Sequence, residues 1–218
     1  MRVIAGKYRS RILRAPQGPE PSLRWDRGGP AREGGASIPG STTSPVTRPT
    51  SDRLRETLFN VLAPRMEGAV FVDLYAGSGA VGIEAISRGA REAIFVEQAE
   101  AALKAIGGNL ASLGIRGGYA LEARSAAAGL RRLTDAGRQA DIVFLDPPYA
   151  AAAEYERTLG LLGGESSGLL ASGAVVIAEH DKRRDLEERY GILERYRVLK
   201  QGDAALSFYR TASSAMLG

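Results

Sequence analysis

Residues 70–82 read Val70-Phe71-Val72-Asp73-Leu74-Tyr75-Ala76-Gly77-Ser78-Gly79-Ala80-Val81-Gly82, and this stretch decides the fold. The run over 70–74 is short, largely apolar and rich in β-branched and aromatic side chains, as a buried strand should be. Gly77, Gly79 and Gly82 follow at the spacing G-x-G-x-x-G and lead into a helical pattern. Glycine permits a tight turn and a close approach of backbone to ligand. A strand, this loop and a helix therefore open a parallel sheet with a ligand site beyond the strand's carboxyl end. The loop does not by itself select the ligand, because dinucleotide enzymes use the same spacing.

Downstream, strands and helices alternate. Strands are expected over 70–74, 93–97, 119–121, 141–145 and 174–178. Helices are expected over 79–88, 100–113, from 125, over 154–162 and over the charged stretch 182–190. Two closing strands, 192–199 and 204–210, are joined through Gly202-Asp203 and add antiparallel pairing. The alternation predicts a Rossmann-like α/β fold with a mostly parallel sheet covered by helices on both faces. Upstream, Thr50-Ser51-Asp52 offers helix N-caps, and Leu54, Leu58, Val61 and Leu62 recur at helical spacing until Pro64. Residues 17–46 are dense in glycine and proline and poor in apolar residues, which predicts a flexible insertion. The expected organisation is a basic hairpin over 1–16, the insertion, a main domain over 47–212 and a short tail over 213–218.

Two carboxylates narrow the ligand. Asp73 ends the first strand, four residues before Gly77, and Glu97 ends the second. Glu97 can accept hydrogen bonds from ribose hydroxyls, which suits any nucleoside cofactor. Asp73 beside a pyrophosphate would be repulsive, whereas S-adenosylmethionine brings a sulfonium and an ammonium that a carboxylate favours. Asp73 can also order the loop through backbone hydrogen bonds, and the two roles are compatible.

Asp146-Pro147-Pro148-Tyr149 follows the fourth strand and so belongs on the same rim as Gly77 and Glu97. Consecutive prolines stiffen the backbone and remove two amide donors, leaving carbonyls as outward acceptors. The Asp146 carboxylate and Pro147 carbonyl can hold both N–H groups of an exocyclic amine, and Tyr149 can stack on a flat base. Methyl transfer from a sulfonium then needs mainly alignment and electrostatics. A stiff structural turn is the plain alternative for the same four residues. His180, the only histidine, is a poor candidate base, and no cluster of metal ligands is present, so no metal is expected.

The chain has 218 residues, 44% hydrophobic and 25% charged, enough for a sizeable core. It has no cysteine, which excludes disulfides and thiolate metal sites. No apolar run is long enough to span a bilayer, and residues 1–16 are too basic for a signal peptide, so a soluble cytoplasmic protein is expected. The net charge of +4 favours a polyanionic partner only mildly. Its distribution says more: Arg2, Lys7, Arg9, Arg11 and Arg14 crowd residues 1–16 without a compensating acid before Glu20. Val3-Ile4 and Ile12-Leu13 flank a basic turn, predicting a hairpin whose cations neutralise RNA phosphates while Tyr8 stacks on a base.

Arg48-Pro49-Thr50-Ser51-Asp52-Arg53-Leu54-Arg55-Glu56-Thr57-Leu58-Phe59-Asn60 resembles the opening segment of RsmD-type 16S ribosomal RNA guanine-N2 methyltransferases. The likeness continues through Asp73–Gly79, Gly82-Ile83-Glu84-Ala85, Asp146–Tyr149, Val3–Arg9 and Leu206-Ser207-Phe208-Tyr209-Arg210, nearly the whole chain outside 17–46. It implies a class I methyltransferase fold with a seven-stranded sheet and an antiparallel C-terminal strand. It also implies transfer of a methyl group from S-adenosylmethionine to guanine N2 in small-subunit ribosomal RNA, free or in an assembly particle, and the exposed basic arm fits a monomer. Asp73, Ala76, Gly77, Ser78 and Gly79 would line the methionine side of the cofactor and Glu97 the ribose. Arg124-Ser125 stands where the family carries Asp or Asn and then Ala at the adenine edge. Asp146 and Tyr149 would hold guanine, and Arg48 and Arg53 would flank the RNA or cofactor entrance. An amino-methyltransferase for another base or a protein amide, a nicotinamide-dependent oxidoreductase and a non-catalytic RNA-binding module are the competing readings.

Overall fold

The computed structural model describes residues 1–17, 52–148 and 152–212. Arg48, the N-caps Thr50 and Ser51, Tyr149, the insertion beyond residue 17 and the tail over 213–218 lie outside the described residues.

One sheet organises the described chain. Its strands are β1 (Val70–Leu74), β2 (Glu92–Glu97), β3 (Tyr119–Ala123), β4 (Ala140–Leu145), β5 (Leu170–Asp181), β6 (Arg189–Tyr190), β7 (Leu193–Gln201) and β8 (Ala204–Thr211). They lie in the order β3-β2-β1-β4-β5-β8-β7-β6. The first five are parallel, and β5, β8, β7 and β6 pair antiparallel. Helices α1 (Asp52–Leu62), α2 (Ala80–Ser87), α3 (Glu100–Ser112), α4 (Ala126–Asp135) and α5 (Ala152–Gly163) cover it.

The strands separate two cores through their period-two alternation. Val70, Val72 and Leu74 of β1, Val143 and Leu145 of β4, and Val176 and Ala178 of β5 meet Leu130 of α4 and Tyr155, Leu159 and Leu162 of α5. Phe71, Ile142, Phe144, Val175 and Ile177 face the other way, onto Leu54, Leu58 and Phe59 of α1 and Val81 and Ala85 of α2. Burial on both faces explains why β1 reads as a continuous apolar run broken only by Asp73.

The expected seven strands become eight, because the helix expected over 182–190 does not form. Asp181 Oδ1 accepts from the Arg183 amide at 2.8 Å, and Lys182 N donates to Asp203 O at 2.9 Å. The Glu187 amide is taken by the Tyr190 hydroxyl at 3.1 Å. With these donors committed elsewhere, the segment turns and ends in the two-residue edge strand β6, with Leu186 and Tyr190 buried. The antiparallel part accordingly holds three strands, the two expected closing strands β7 and β8 and the added edge strand β6.

The N-terminal hairpin reduces to one antiparallel bridge, Arg2 to Ile12, with a Val3 N–Arg11 O bond of 2.9 Å. Its path is held by the domain beneath it. Val3 and Leu13 are buried with Ile83, Phe95 and Ile106. The Glu84 carboxylate of α2 accepts from the Ile4 and Ala5 amides at 2.7 and 2.9 Å. Ser87 Oγ donates to Ala5 O at 2.6 Å and accepts from Tyr8 N at 3.0 Å. Gly6 has φ +80, and a Cβ there would lie 1.8 Å from Ser87 O, so only glycine lets the arm settle this close. Arg55, completely buried, donates to Arg2 O and to Asp52 Oδ1, tying the arm to α1.

Candidate active site

The order β3-β2-β1-β4-β5 reverses between β1 and β4, which makes their carboxyl ends the switch point of the sheet. Leu74 is in register with Leu145 on one side and Val96 on the other. The residues that follow, Tyr75 and the glycine loop, Asp146-Pro147-Pro148 and Glu97, therefore emerge together on one rim. Arg124 and Ser125 follow β3 on the same rim.

Each glycine of the loop has its own reason. Gly77 has φ +56 and a Cβ there would meet only Tyr75 O at 3.9 Å, so the side of the loop that a side chain would cover is open. Gly79 has φ +76 and a Cβ there would press Ile106 and Phe95 at 3.2 and 3.3 Å. At Gly82 a Cβ would fall 2.3 Å from the Phe95 ring, so this glycine sets the approach of α2 to β2.

The loop amides turn toward carboxylates. Gly77 N donates to Glu97 Oε2 at 2.9 Å, and Gln98 N and Ala99 N donate to Oε1 at 2.8 Å each. Gly82 N donates to Asp73 Oδ2 at 2.9 Å. Asp73 is almost wholly buried, and burial pushes its carboxyl up to about 8; the Gly82 amide opposes this and the neighbouring Glu97 charge reinforces it. The loop-ordering role expected for Asp73 is thus present. Ala76 is buried under the loop. Ser78 is turned inward: its hydroxyl is 3.8 Å from Met1 Sδ, and its carbonyl accepts from Asn109 Nδ2 at 3.0 Å. Ser125 caps α4, accepting from Ala128 N at 3.4 Å, while Arg124 pairs with Glu122 at 2.9 Å.

Asp146 is half-buried and Pro147 buried. The Pro147 carbonyl, expected to point outward, has an internal neighbour: the Tyr155 hydroxyl lies 3.4 Å away while donating to Glu179 O at 2.9 Å. One lone pair of that carbonyl therefore faces the fold. His180 is buried between Asp181 O and Ser207 Oγ, each at 2.9 Å, and burial lowers its pKa, so it stays neutral and structural.

Sequence reasoning gave Tyr75 no role. It is one of two described non-glycine residues at positive φ, 62°, a conformation that costs energy without glycine. Its hydroxyl lies 2.9 Å from Glu154 Oε2 and 2.7 Å from Thr158 Oγ1, both on α5. It thereby staples the glycine loop to the helix that follows the tetrapeptide. Asn109 was also unassigned; it holds Arg14 N and O of the arm at 2.8 and 3.0 Å while bonding Ser78. No periodicity or spacing marks either residue.

The cations of the arm are exposed, and Arg53 is exposed on α1. Lys7 lies 5.5 Å over the Tyr8 ring. Both line a cleft of about 340 Å³ with Arg91 and Arg116, at the amino ends of β2 and β3. The arm's tip thus sits toward the rim opposite Asp146, while Met1 and Arg14 sit beside the glycine loop.

A doubly wound parallel core with antiparallel closing strands, and a glycine loop beside Asp-Pro-Pro at its switch point, is a Rossmann-like domain of the class I methyltransferase type. Residues 35–210 match the model of the family described as conserved hypothetical protein 95, the RsmD-type family, and the chain belongs to it. It is 41% identical over 143 residues to ribosomal RNA small subunit methyltransferase D of Escherichia coli (strain K12), covering 66% of this chain and 69% of that protein. The protein of the same name from Haemophilus influenzae is 30% identical over 163 residues, covering 75% and 81%. The solved structure of the Escherichia coli protein yhhF superposes with a TM-score of 0.74 at 30% identity, covering 98% and 99%.

Proposed function

We propose that the chain transfers a methyl group from S-adenosylmethionine to the exocyclic N2 amine of a guanine in small-subunit ribosomal RNA. The register Leu74 to Leu145, which brings the two-carboxylate glycine loop beside Asp146-Pro147-Pro148, carries this reading. When bound, S-adenosylmethionine supplies an electrophilic methyl group on a sulfonium. Glu97, joined by Asp73 once a cationic ligand draws off its proton, gives the loop negative potential suited to a cationic, hydroxyl-bearing ligand and hostile to a pyrophosphate. Gly77 leaves the face of the loop that a side chain would cover open for close approach. Asp146 accepts one N–H of the amine and the free lone pair of the Pro147 carbonyl accepts the other, aiming the nitrogen lone pair at the methyl group. Tyr149 stacks on the guanine, and Asp146 takes up the proton released from nitrogen on methylation.

Arg2, Lys7, Tyr8, Arg9, Arg11, Arg48 and Arg53 serve the RNA, whose target base has to leave its stack to reach the rim. The names of the Escherichia coli and Haemophilus influenzae relatives support ribosomal RNA as substrate. Among the described residues no helix is long and apolar enough to cross a membrane, and a cytoplasmic monomer is the working form we assign.

The test is transfer of labelled methyl to 16S RNA and to small-subunit particles from a strain lacking this modification, with the product nucleoside identified as N2-methylguanosine. Asp146→Ala should abolish turnover while S-adenosylmethionine affinity stays within about threefold, as expected for a group acting mainly in the transition state. Wild-type turnover in that variant would remove Asp146 from the chemistry.

A further inference from the structure

Past Ala178, which pairs with the last residue of β4, β5 continues through Glu179, His180 and Asp181. The β7–β8 turn meets it there, since Ala204 pairs with both Asp181 and Gln201. This corner stands on the carboxyl rim, beside the tetrapeptide, and it holds a cleft of about 380 Å³. Lys182, Arg183, Arg184, Arg195 and Lys200 line it, and Asp185 is the only acidic lining residue among the described residues.

Internal pairing consumes part of this charge. Arg195 lies 3.5 Å from Asp185 and donates to Leu186 O at 2.7 Å. Lys182 lies 3.0 Å from Asp203. Arg183 and Lys200 have no ion pair among the described residues. The cleft also touches the catalytic loop: the Arg184 guanidinium lies 4.9 Å over the ring of Tyr155, whose hydroxyl sits between Glu179 O and Pro147 O.

We propose that this cleft binds the phosphate backbone of the RNA next to the flipped target nucleotide, with Arg183 and Lys200 as phosphate contacts. The inference rests on the RNA-methyltransferase reading above. An excess of unpaired cations in a concave site favours a ligand with repeated negative charge, and phosphate contacts position a nucleic acid without reading its sequence. The location sets which phosphates: the cleft shares the rim of Asp146, whereas the arm's tip, with Arg91 and Arg116, lies toward the opposite rim. Two separated basic surfaces hold the RNA at two points, and this one fixes the approach of the base.

The test uses the full chain, S-adenosylmethionine and deproteinised 16S RNA from the unmodified strain. The pair Arg183→Gln/Lys200→Gln should raise KM for RNA at least about tenfold and flatten the plot of log K against log salt by about 1.4 to 1.8, the loss of two phosphate contacts. The maximal rate and S-adenosylmethionine affinity should change less than about twofold, because the substitutions remove RNA positioning and not chemistry. Arg183→Lys/Lys200→Arg should restore KM. Unchanged KM and salt slope in the Gln pair would overturn the proposal, as would a loss confined to the maximal rate. If the wild-type protein transfers methyl neither to this RNA nor to small-subunit particles from the same strain, the parent reading fails instead. RNA binding by filter retention then judges the cleft alone, an unchanged salt slope overturning it and a flattened one upholding it.

Discussion

At the scale of single residues, Asp73 is where structure and solution behaviour meet. Its carboxyl is held at about 8 in the folded protein, against an ordinary value near 3.8, because burial penalises the charge. The folded state therefore binds one more proton than the unfolded state between these limits. The stability this contributes is full below the unfolded value and is lost as pH rises through about 8. The ligand-free protein should lose thermal stability across that window, and Asp73→Asn should flatten the loss. A cationic ligand favours the ionised carboxylate, so binding of S-adenosylmethionine near neutral pH should release a proton. Calorimetry in buffers of different ionisation enthalpy measures that release directly; a binding enthalpy independent of buffer would separate Asp73 from the ligand's charge. Tyr75 belongs to the same scale. A strained aromatic at φ 62 persists because α5 holds its hydroxyl with two partners, and the strain buys a fixed distance between the two loops.

At the scale of elements, the sequence was most legible where one periodicity governs a whole segment. The parallel strands and the five helices between residues 52 and 163 lie close to where apolar spacing puts them, and Gly77 and Asp146 fall on one rim because strand order requires it. It was least legible where tertiary partners capture backbone donors. The 182–190 segment has helical composition, with Leu186 and Tyr190 one turn apart, yet Asp181, Asp203 and Tyr190 take its amides. The arm is the second case. Its basic charge was plain, but the groups that hold it are Glu84, Ser87 and Asn109, about 80 to 95 residues away in sequence. Glu84 is completely buried and also takes Arg88 Nε at 2.7 Å, so Glu84→Ala would strand two amides and one guanidinium. Each stranded donor costs about 1–3 kcal/mol, enough to free the arm if not to unfold the domain. Limited trypsin digestion should then cut at Arg9 and Arg11 at least about tenfold faster than in the parent, since cleavage tracks the population of the open form. An unchanged rate would mean that the Glu84 bonds are dispensable and that Val3 and Leu13, with Ser87, Asn109 and Arg55, secure the arm.

At the scale of the whole molecule, the glycine loop connects everything else. Its carbonyl at Ser78 reaches the arm through Asn109, Tyr75 reaches α5, and Asp73 and Glu97 anchor it to β1 and β2. A ligand that settles on this loop is coupled to both cores and to the arm, so its binding should register as stability of the entire described domain. For a ligand that binds only the folded state, a hundredfold excess over Kd adds about 2.7 kcal/mol. A chain of this size moves in Tm by roughly 2–4 °C per kcal/mol, so S-adenosylmethionine at that excess should raise Tm by about 5–10 °C in a single transition. NADH should shift it by less than about 1 °C, because the Glu97 carboxylate repels its pyrophosphate, a dianion gives Asp73 no reason to ionise, and Gly77's amide is already donated to Glu97. The reverse ranking would restore the oxidoreductase reading that the glycine spacing leaves open. Two separated transitions, only one responding to S-adenosylmethionine, would show instead that the loop's ties to the arm and α5 do not carry energy between them.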